Sequence, residues 1–373
     1  MKYFRYLVII MMVAAIAGII YLLIRIQRFT FVKKIKEKNR ILGWLMGIPV
    51  LAVITVPYAV NSPMAAVVVL IHLLAFMVIC DIIGFIANKI LKRKKTRYYA
   101  GAAAFAITFV FLLIGEICAR NVWIKRYEID TAKNVGEGVY VAALSDSHLG
   151  YTMSGKKFAR EIEKLQKYSP DALIILGDFV DDDTPREDME TACEALGKLQ
   201  TRYGVYYVYG NHDRGYSYYR NFNEYDLLIQ LRKNGVIILE DKLEYITLDA
   251  GDGSEPAVLT LAGRKDRSRN DRKSAVEMMK DADPSSYTIM LDHQPNDYDN
   301  EAEAGPDLVL SGHTHGGQMF PVNLIGQALG ANDRHYGMER RNNTDFIVTS
   351  GIAEWAIPFK TCCVSEILLL HIY

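Results

Sequence analysis

Asp146-x-His148, Gly177-Asp178, Gly210-Asn211-His212-Asp213, His293 and Gly312-His313-Thr314-His315 are five short segments rich in donors for hard and borderline metal ions. Five of the chain's eight histidines fall inside them, which random placement on a surface does not account for. Carboxylate, imidazole and one amide oxygen are what a pair of divalent ions needs in order to polarise a phosphoryl group and lower the pKa of a bridging water. The segments imply a two-metal site for phosphoester chemistry.

The residues around each segment explain how it would be held. Val139 to Ser145 is an apolar, β-branched run of strand length that delivers Asp146 and His148 into the polar loop after it. Ala172 to Leu176 leads in the same way to Asp178, Val205 to Tyr209 to Asn211, Tyr287 to Leu291 to His293, and Asp307 to Leu310 to His313. In sheets covered by helices, ligands gather beyond the carboxyl ends of the strands, so five strand-then-donor segments belong on one edge. Gly177, Gly210 and Gly312 stand at the strand exits, where close backbone approach favours a residue without a Cβ. Taken singly, an Asp-x-His or a Gly-Asp pair is more often a turn or surface loop. Together, in order and each behind a strand, they carry the reading.

These residues resemble a known family, the calcineurin-like metallophosphoesterases. Ser145-Asp146-Ser147-His148-Leu149-Gly150, Gly177-Asp178-Phe179-Val180-Asp181, Gly210-Asn211-His212-Asp213 and Ser311-Gly312-His313-Thr314-His315-Gly316-Gly317-Gln318 look like its successive blocks, over about residues 139 to 370. The Gly-Gly-Gln extension resembles a bacterial branch of membrane-associated phosphodiesterases that includes UDP-2,3-diacylglucosamine hydrolases. The resemblance implies an α/β four-layer sandwich, two mixed β-sheets face to face with helices outside and both metals at one edge. It further implies Asp146, His148 and His315 on the first metal, Asn211, His293 and His313 on the second, and Asp178 bridging both. Manganese is the expected metal, with iron or zinc as alternatives, and a bridging hydroxide attacking phosphorus the expected chemistry. His212 would act as donor or acid toward the leaving group, oriented by Asp181.

Two positions depart from the family pattern. Asp292 stands where a small residue is more frequent before His293, and the period-2 rule turns it away from the ligand toward solvent, a contact behind the metals being the alternative. Lys360 stands where the family usually carries arginine, and Val364 and Ser365 stand in place of prolines. Lysine offers a point charge and no bidentate fork, which weakens any phosphate contact there.

The first third is different material. Apolar stretches near 6–24, 41–60, 64–88 and 99–118 are each long enough to cross about 30 Å of hydrocarbon, which predicts four transmembrane helices. Three spans plus a cleaved or interfacial first helix is the second reading. The expected organisation is a transmembrane region over 1–120, a linker with a lead-in strand over 121–138, and a catalytic domain over 139–373. Arg25, Arg28, Lys33, Lys34, Lys36, Lys38 and Arg40 follow the first stretch, and Lys89, Lys92, Arg93, Lys94, Lys95 and Arg97 follow the third. The positive-inside bias puts both groups in the cytoplasm, and alternation puts the catalytic domain on the outer face of the plasma membrane. Arg120, Lys125 and Arg126 argue weakly the other way.

The net charge of zero conceals a split: residues 1–126 hold 18 Lys or Arg against 3 Asp or Glu, leaving 25 against 40 in the remainder. An acidic domain without a basic stripe is a poor fit to a nucleic acid partner. His72, Asp81 and Glu116 are polar residues within apolar spans; His72 is expected to be satisfied by a neighbouring helix and the other two to reach the headgroups. Of the five cysteines, a link between Cys193 and one of Cys362 and Cys363 is the one pairing to consider. Amphipathic helices are expected near 155–168, 186–202 and 222–234. Among the tyrosines, Tyr203, Tyr206, Tyr207 and Tyr209 belong to a strand, while Tyr216, Tyr218 and Tyr219 are candidates for cleft lining. Arg264 to Arg272 is expected as a solvated loop, with a second phosphate contact at Arg264 or Arg267 as the alternative. Residues 316–343 are expected as a long loop beside the metals, of the kind that forms lids. The composite expectation is a membrane-anchored phosphodiesterase or pyrophosphatase working beside the lipid bilayer on a lipid-linked or envelope phosphate. A phosphomonoesterase for soluble metabolites and a non-catalytic sensor of phospho-ligand or metal are the alternatives.

Overall fold

The computed structural model describes residues 2–60, 62–92, 97–215, 219–249, 256–320, 323–324, 326 and 330–373, with side chains from residue 13 onward. The chain divides into two compact units, Met1–Ile114 and Gly115–Tyr373.

The first unit is helical because its residues are apolar all round, the pattern of a segment surrounded by hydrocarbon or by other helices. Its helices run Lys2–Ile26, Thr30–Lys38, Arg40–Leu45, Gly47–Ala59 and Pro63–Ile90, and Tyr99–Arg120 begins in it. Ser62 caps Pro63–Ile90, accepting a hydrogen bond from Ala65 N, with proline at the first helical position. Arg40–Ala59, Pro63–Ile90 and Tyr99–Arg120 are long and apolar enough to cross a membrane. The expected first span falls on Lys2–Ile26, of which Val13–Ile26 is bent by 82° against the lysine-rich helix Thr30–Lys38. Among the described residues the count is thus three, or four if that bent pair is one broken span.

Asp81 and one ring nitrogen of His72 find partners within this unit. Asp81 does not simply reach outward: Tyr21 Oη donates to it at 2.7 Å, Tyr98 Oη at 2.8 Å, and Arg25 Nε lies at 2.7 Å. His72 Nδ1 donates to Val68 O of its own helix at 2.8 Å, where a neighbouring helix had been expected to supply the partner.

In the second unit, the strands are β1 Val122–Ile129, β2 Val139–Leu144, β3 Ala172–Ile175, β4 Val205–Tyr207, β5 Val236–Ile238, β6 Lys242–Leu248, β7 Ala257–Gly263, β8 Tyr287–Leu291, β9 Leu308–Ser311, β10 Gly337–Arg341, β11 Thr344–Val348 and β12 Ser365–Ile372. They form two six-stranded sheets, ordered β1-β12-β2-β3-β4-β5 and β10-β11-β9-β8-β7-β6. Both are mixed, with β2, β3 and β4 parallel neighbours in one and β7, β8 and β9 parallel neighbours in the other.

Strand periodicity decides the layering. Val141 and Ala143 of β2, Ile174 of β3, Ile289 and Leu291 of β8 and Leu308 and Leu310 of β9 meet in the core between the sheets. Their alternates Ala142, Leu144, Leu173 and Ile175 face outward and are covered by Phe158, Ile162, Met189, Leu196, Leu227 and Leu231 from helices Gly155–Leu165, Arg186–Lys198 and Glu224–Lys233. On the far side, Met290 and Val309 pack with Ala275, Met278 and Tyr298 of the helices Ala275–Met279 and Tyr298–Ala304. The result is helix, sheet, sheet, helix. Parallel strands buried on both faces read as continuous apolar runs, which is why these were legible in the sequence.

Several expectations change. β1 is an edge strand paired in parallel with β12 along its whole length, so residues 122–129 are part of the sandwich. Within the expected 316–343 loop, Gly337–Arg341 is a strand paired antiparallel with β11; residues 321–322, 325 and 327–329 lie outside the described residues. All five cysteines are free, and Cys193 is buried under the first sheet. Tyr206 lies in the inter-sheet core, whereas Tyr207 and Tyr209 face the helices. Tyr219 is 76 % exposed, and Tyr216 and Tyr218 lie outside the described residues.

Candidate metal centre

The carboxyl ends of β2, β3 and β4 in one sheet and of β8 and β9 in the other carry all seven expected ligands and His212. The backbone there is strained. Asp146, His148, Asp178, His313 and His315 have φ of 56°, 35°, 49°, 68° and 49°, a left-handed conformation that costs a non-glycine residue about 1 to 3 kcal/mol. Such strain persists only where surrounding contacts over-determine it, and here the donors gain a common direction. Glycine is required beside them: a Cβ on Gly312 would collide with Ser145 Oγ and come 2.7 Å from Asp146 Oδ2. One on Gly177, whose φ is +85°, would come 2.7 Å from Gly210 Cα.

Two clusters form. Asp146, His148 and His315 have donor atoms within 4.8 Å of one another, with His148 Nε2 and His315 Nε2 3.2 Å apart and His315 Nε2 3.7 Å from Asp146 Oδ1. Asp178, His293 and His313 form the second, with His293 Nε2 3.1 Å from Asp178 Oδ2. That same Oδ2 is 3.8 Å from His148 Nε2, so Asp178 lies between the clusters.

The other ring nitrogens point away to fixed acceptors. His148 Nδ1 donates to Asp181 Oδ2 at 3.0 Å, His293 Nδ1 to Leu176 O at 2.6 Å and His315 Nδ1 to Ala353 O at 3.2 Å. An acceptor on one ring nitrogen fixes the tautomer that leaves the other lone pair for a metal. Asn211 Oδ1, His293 Nε2 and His313 Nδ1 are buried with no hydrogen-bond partner. Buried polar atoms without partners are costly, and these three sit where the second ion's ligands belong. The donor set fits two divalent cations.

Electrostatics couple the ligands: burial opposes charge on His293, but Asp178 and Asp146 outweigh it and hold its imidazole well above the usual range, so a metal at Nε2 would displace a proton. Burial opposes charge on Asp178, yet His293, His148 and His212 outweigh it and hold the carboxyl well below its usual range. Burial pushes His315 down to about 3, so its imidazole is neutral and free to ligate.

His212 makes a third group with His148 and Asp181, its ring centroid 4.9 Å from that of His148. Its Nδ1 donates to Asp181 Oδ1 at 2.8 Å, and its backbone N donates to Asp178 Oδ1 at 2.8 Å. Burial lowers its pKa, but the Asp181 hydrogen bond and the charges of Asp178, Asp181 and Asp182 outweigh this and hold it up at about 9. Asp181 thus takes one hydrogen bond from His212 and, on its other oxygen, one from His148.

Residues 139–317 match the family model described as calcineurin-like phosphoesterase. The second unit is a calcineurin-like metallophosphoesterase. Members of that family are metal-dependent phosphoester hydrolases with a dinuclear divalent centre, and that class of enzyme is the one the residues predicted. The metallophosphoesterase is similar to an uncharacterized metallophosphoesterase of Campylobacter jejuni, 28% identical over 311 residues, covering 81% of this chain and 78% of that one. It is also similar to a bovine (Bos taurus) transmembrane protein with metallophosphoesterase domain, 32% identical over 244 residues, covering 62% of this chain and 52% of that protein. The chain therefore spans about half the length of the bovine relative. Among solved structures, a dimetal phosphatase from Danio rerio is 11% identical with a TM-score of 0.37, covering 57% of this chain and 87% of that one.

Other residues of the metallophosphoesterase carry weight that the sequence did not reveal. Asp213 is fully buried and accepts hydrogen bonds from Asp178 N at 3.0 Å, Phe179 N at 2.8 Å, Val180 N at 3.1 Å and Gly210 N at 2.8 Å. It ties the β3 exit to the β4 exit. Asp292 is not solvated: it is wholly buried, 2.9 Å from Arg264 Nη1 and paired also with Arg272. Arg264 is itself buried and reaches Glu301 at 2.8 Å and Asp297 at 2.9 Å, so the expected solvated loop holds for the exposed residues 267–271 and fails at Arg264, whose charge is taken up by carboxylates. The alternation argument turned Asp292 away from His293 correctly but could not say that two arginines wait there. Lys360 is also buried, its Nζ donating to Ser350 O at 2.6 Å and Gly351 O at 3.0 Å. It braces the turn that packs Gly351 against Asp146 and makes no open phosphate site.

Proposed function

We propose that this chain is a membrane-anchored dinuclear-metal phosphoesterase, a phosphodiesterase or pyrophosphatase acting on a lipid-linked or envelope phosphate compound. The observation that carries the reading is the position of Asp178 between two histidine-carboxylate clusters. In this reading Asp146, His148 and His315 hold one divalent ion, Asn211, His293 and His313 hold the other, and Asp178 is shared. Manganese is the preferred metal, with iron or zinc as alternatives. Bound there, the ions would supply a water of lowered pKa and neutralise charge on the phosphoryl oxygens. His212, protonated and held by Asp181, would donate its Nε2 proton to the departing oxygen.

Residues 1–120 would form the membrane region, with 139–373 and the edge strand β1 forming the catalytic unit. The described apolar helices support a membrane protein. Because the basic residues 25–40 and 89–97 share one side, the outward placement of the catalytic unit in the plasma membrane is the same with three spans or four. No nucleic acid partner is proposed.

The test is kinetic. Chelated protein reloaded with Mn²⁺ should hydrolyse bis-p-nitrophenyl phosphate with a higher kcat/KM than the mono-ester, and the reverse preference would favour a phosphomonoesterase. Binding without turnover, indifferent to chelator, would favour a sensor.

A further inference from the structure

The last six residues of the helix Tyr99–Arg120 belong to the second unit, and the segment that leads into β12 is built onto them. Lys360 N donates to Gly115 O at 3.0 Å, and Ser365 Oγ donates to Ala119 O at 2.8 Å. A Cβ on Gly115 would meet Thr361 Cγ2 at 2.8 Å, so the loop lies flat on the helix there. Gly115 is five residues before the helix end, roughly 7.5 Å at the helical rise. A loop bonded at that level lies beside the outermost turns of a candidate span.

From Thr361 the contacts lead to the metal edge. Thr361 N donates to Gln318 O at 2.9 Å, Phe320 N donates to Thr361 Oγ1 at 3.0 Å, and Gln318 Nε2 donates to Trp355 O at 3.2 Å and Ile357 O at 3.0 Å. These loops carry large apolar side chains in the open: Phe320 is 50 % exposed, Leu324 51 % and Trp355 45 %. The Trp355 ring is 5.7 Å from the ring of His212. The helix on which the loop lies ends in Arg120, which is exposed. Exposed aromatic and aliphatic side chains on loops tied to the end of an apolar helix that closes in arginine match the composition of a membrane–water interface.

We infer that Phe320, Leu324 and Trp355 form a lip that enters the headgroup layer of the bilayer holding this chain, so that the His212 side of the metal edge opens onto lipid phosphates. The inference rests on the proposal that Tyr99–Arg120 spans the membrane and deepens the proposed lipid-linked substrate. The lip makes bilayer contact before any chemistry, and the site then draws on substrate confined to the same surface.

The full-length protein in phosphatidylcholine vesicles tests it. With Trp44→Phe and Trp123→Phe, Trp355 is the remaining indole, and vesicles with brominated acyl chains should quench its emission about twofold, since an interfacial side chain lies within reach of the bromines. Equal emission in plain and brominated vesicles overturns the lip. Separately, the Phe320→Ser, Leu324→Ser double variant should lose about tenfold in kcat/KM on vesicle-borne diacylglyceryl p-nitrophenyl phosphate, mostly through KM, and keep its rate on soluble bis-p-nitrophenyl phosphate. Equal losses on both esters overturn the inference. Quenching of Trp355 in a protein that cleaves the soluble diester but not the lipid diester upholds the lip and removes the lipid substrate.

Discussion

In the proposed mechanism Asp178 and His212 would separate metal binding from proton transfer at the level of single side chains. Asp178 stands between His148 Nε2 at 3.8 Å and His293 Nε2 at 3.1 Å, so one substitution reaches both clusters. Asp178→Asn is expected to abolish turnover and to lower metal content measured by mass spectrometry from two ions per chain; full turnover with two ions bound would contradict the shared role. The His212 ring meets the edge of the His148 ring, with centroids 4.9 Å apart, but its Nδ1 bonds to Asp181. His212→Ala is expected to keep its metal and lose about 10²-fold to 10⁴-fold in kcat, with esters of poor leaving groups suffering more. Equal losses for good and poor leaving groups would remove the acid from the mechanism. Both residues were legible from their motifs. Asp213 was not, although it stands in the same motif, because a hydrogen-bond acceptor for four backbone N–H groups is defined only when two strand exits meet.

Strand exits and the loops behind them are what hold these groups at the element scale. Four of the backbone donors on Asp213 come from the β3 and β4 exits, and their loss leaves buried N–H groups unpaired. Asp213→Ala should therefore lower the thermal midpoint and the metal content together. Added Mn²⁺ should recover part of both, because ligand binding to the native state stabilises it. Behind β8, Arg264 is enclosed by Asp292, Asp297 and Glu301. Arg264→Met leaves buried carboxylates without their cation, which costs about 3 to 5 kcal/mol. Urea unfolding should register that loss, and a midpoint equal to the wild type would show the network to be dispensable. The charge density of this segment was plain in the sequence, but the burial of Arg264 depends on Asp297 and Glu301, which the helix Tyr298–Ala304 and its first flanking residue bring to it.

At the scale of the whole molecule the question is sidedness. In the proposed orientation the basic residues 25–40 and 89–97 lie inside and the uncharged turn at 61–63 outside, which would put the catalytic unit outside by the positive-inside bias. Protease added to intact cells is expected to digest the catalytic unit while sparing a cytoplasmic control. Protection of that unit until the cells are opened would reverse the orientation. The charge split between the two parts of the chain suits this arrangement, since the basic surplus lies next to the membrane segments and the acidic surplus in the catalytic part.

The sequence by itself determined the apolar helices, the five strand-then-donor segments, the helices between them and the family. Those features are local: periodicity, glycine placement and residue type are read within a dozen neighbours. Tertiary structure alone decided that Asp181 serves both His148 and His212, that Asp292 and Lys360 are buried braces, that β1 joins the catalytic sheet, and that Asp81 gathers Tyr21, Arg25 and Tyr98. Each of these is a contact between residues far apart in the chain, and the burial of a charge depends on which partner the fold brings to it.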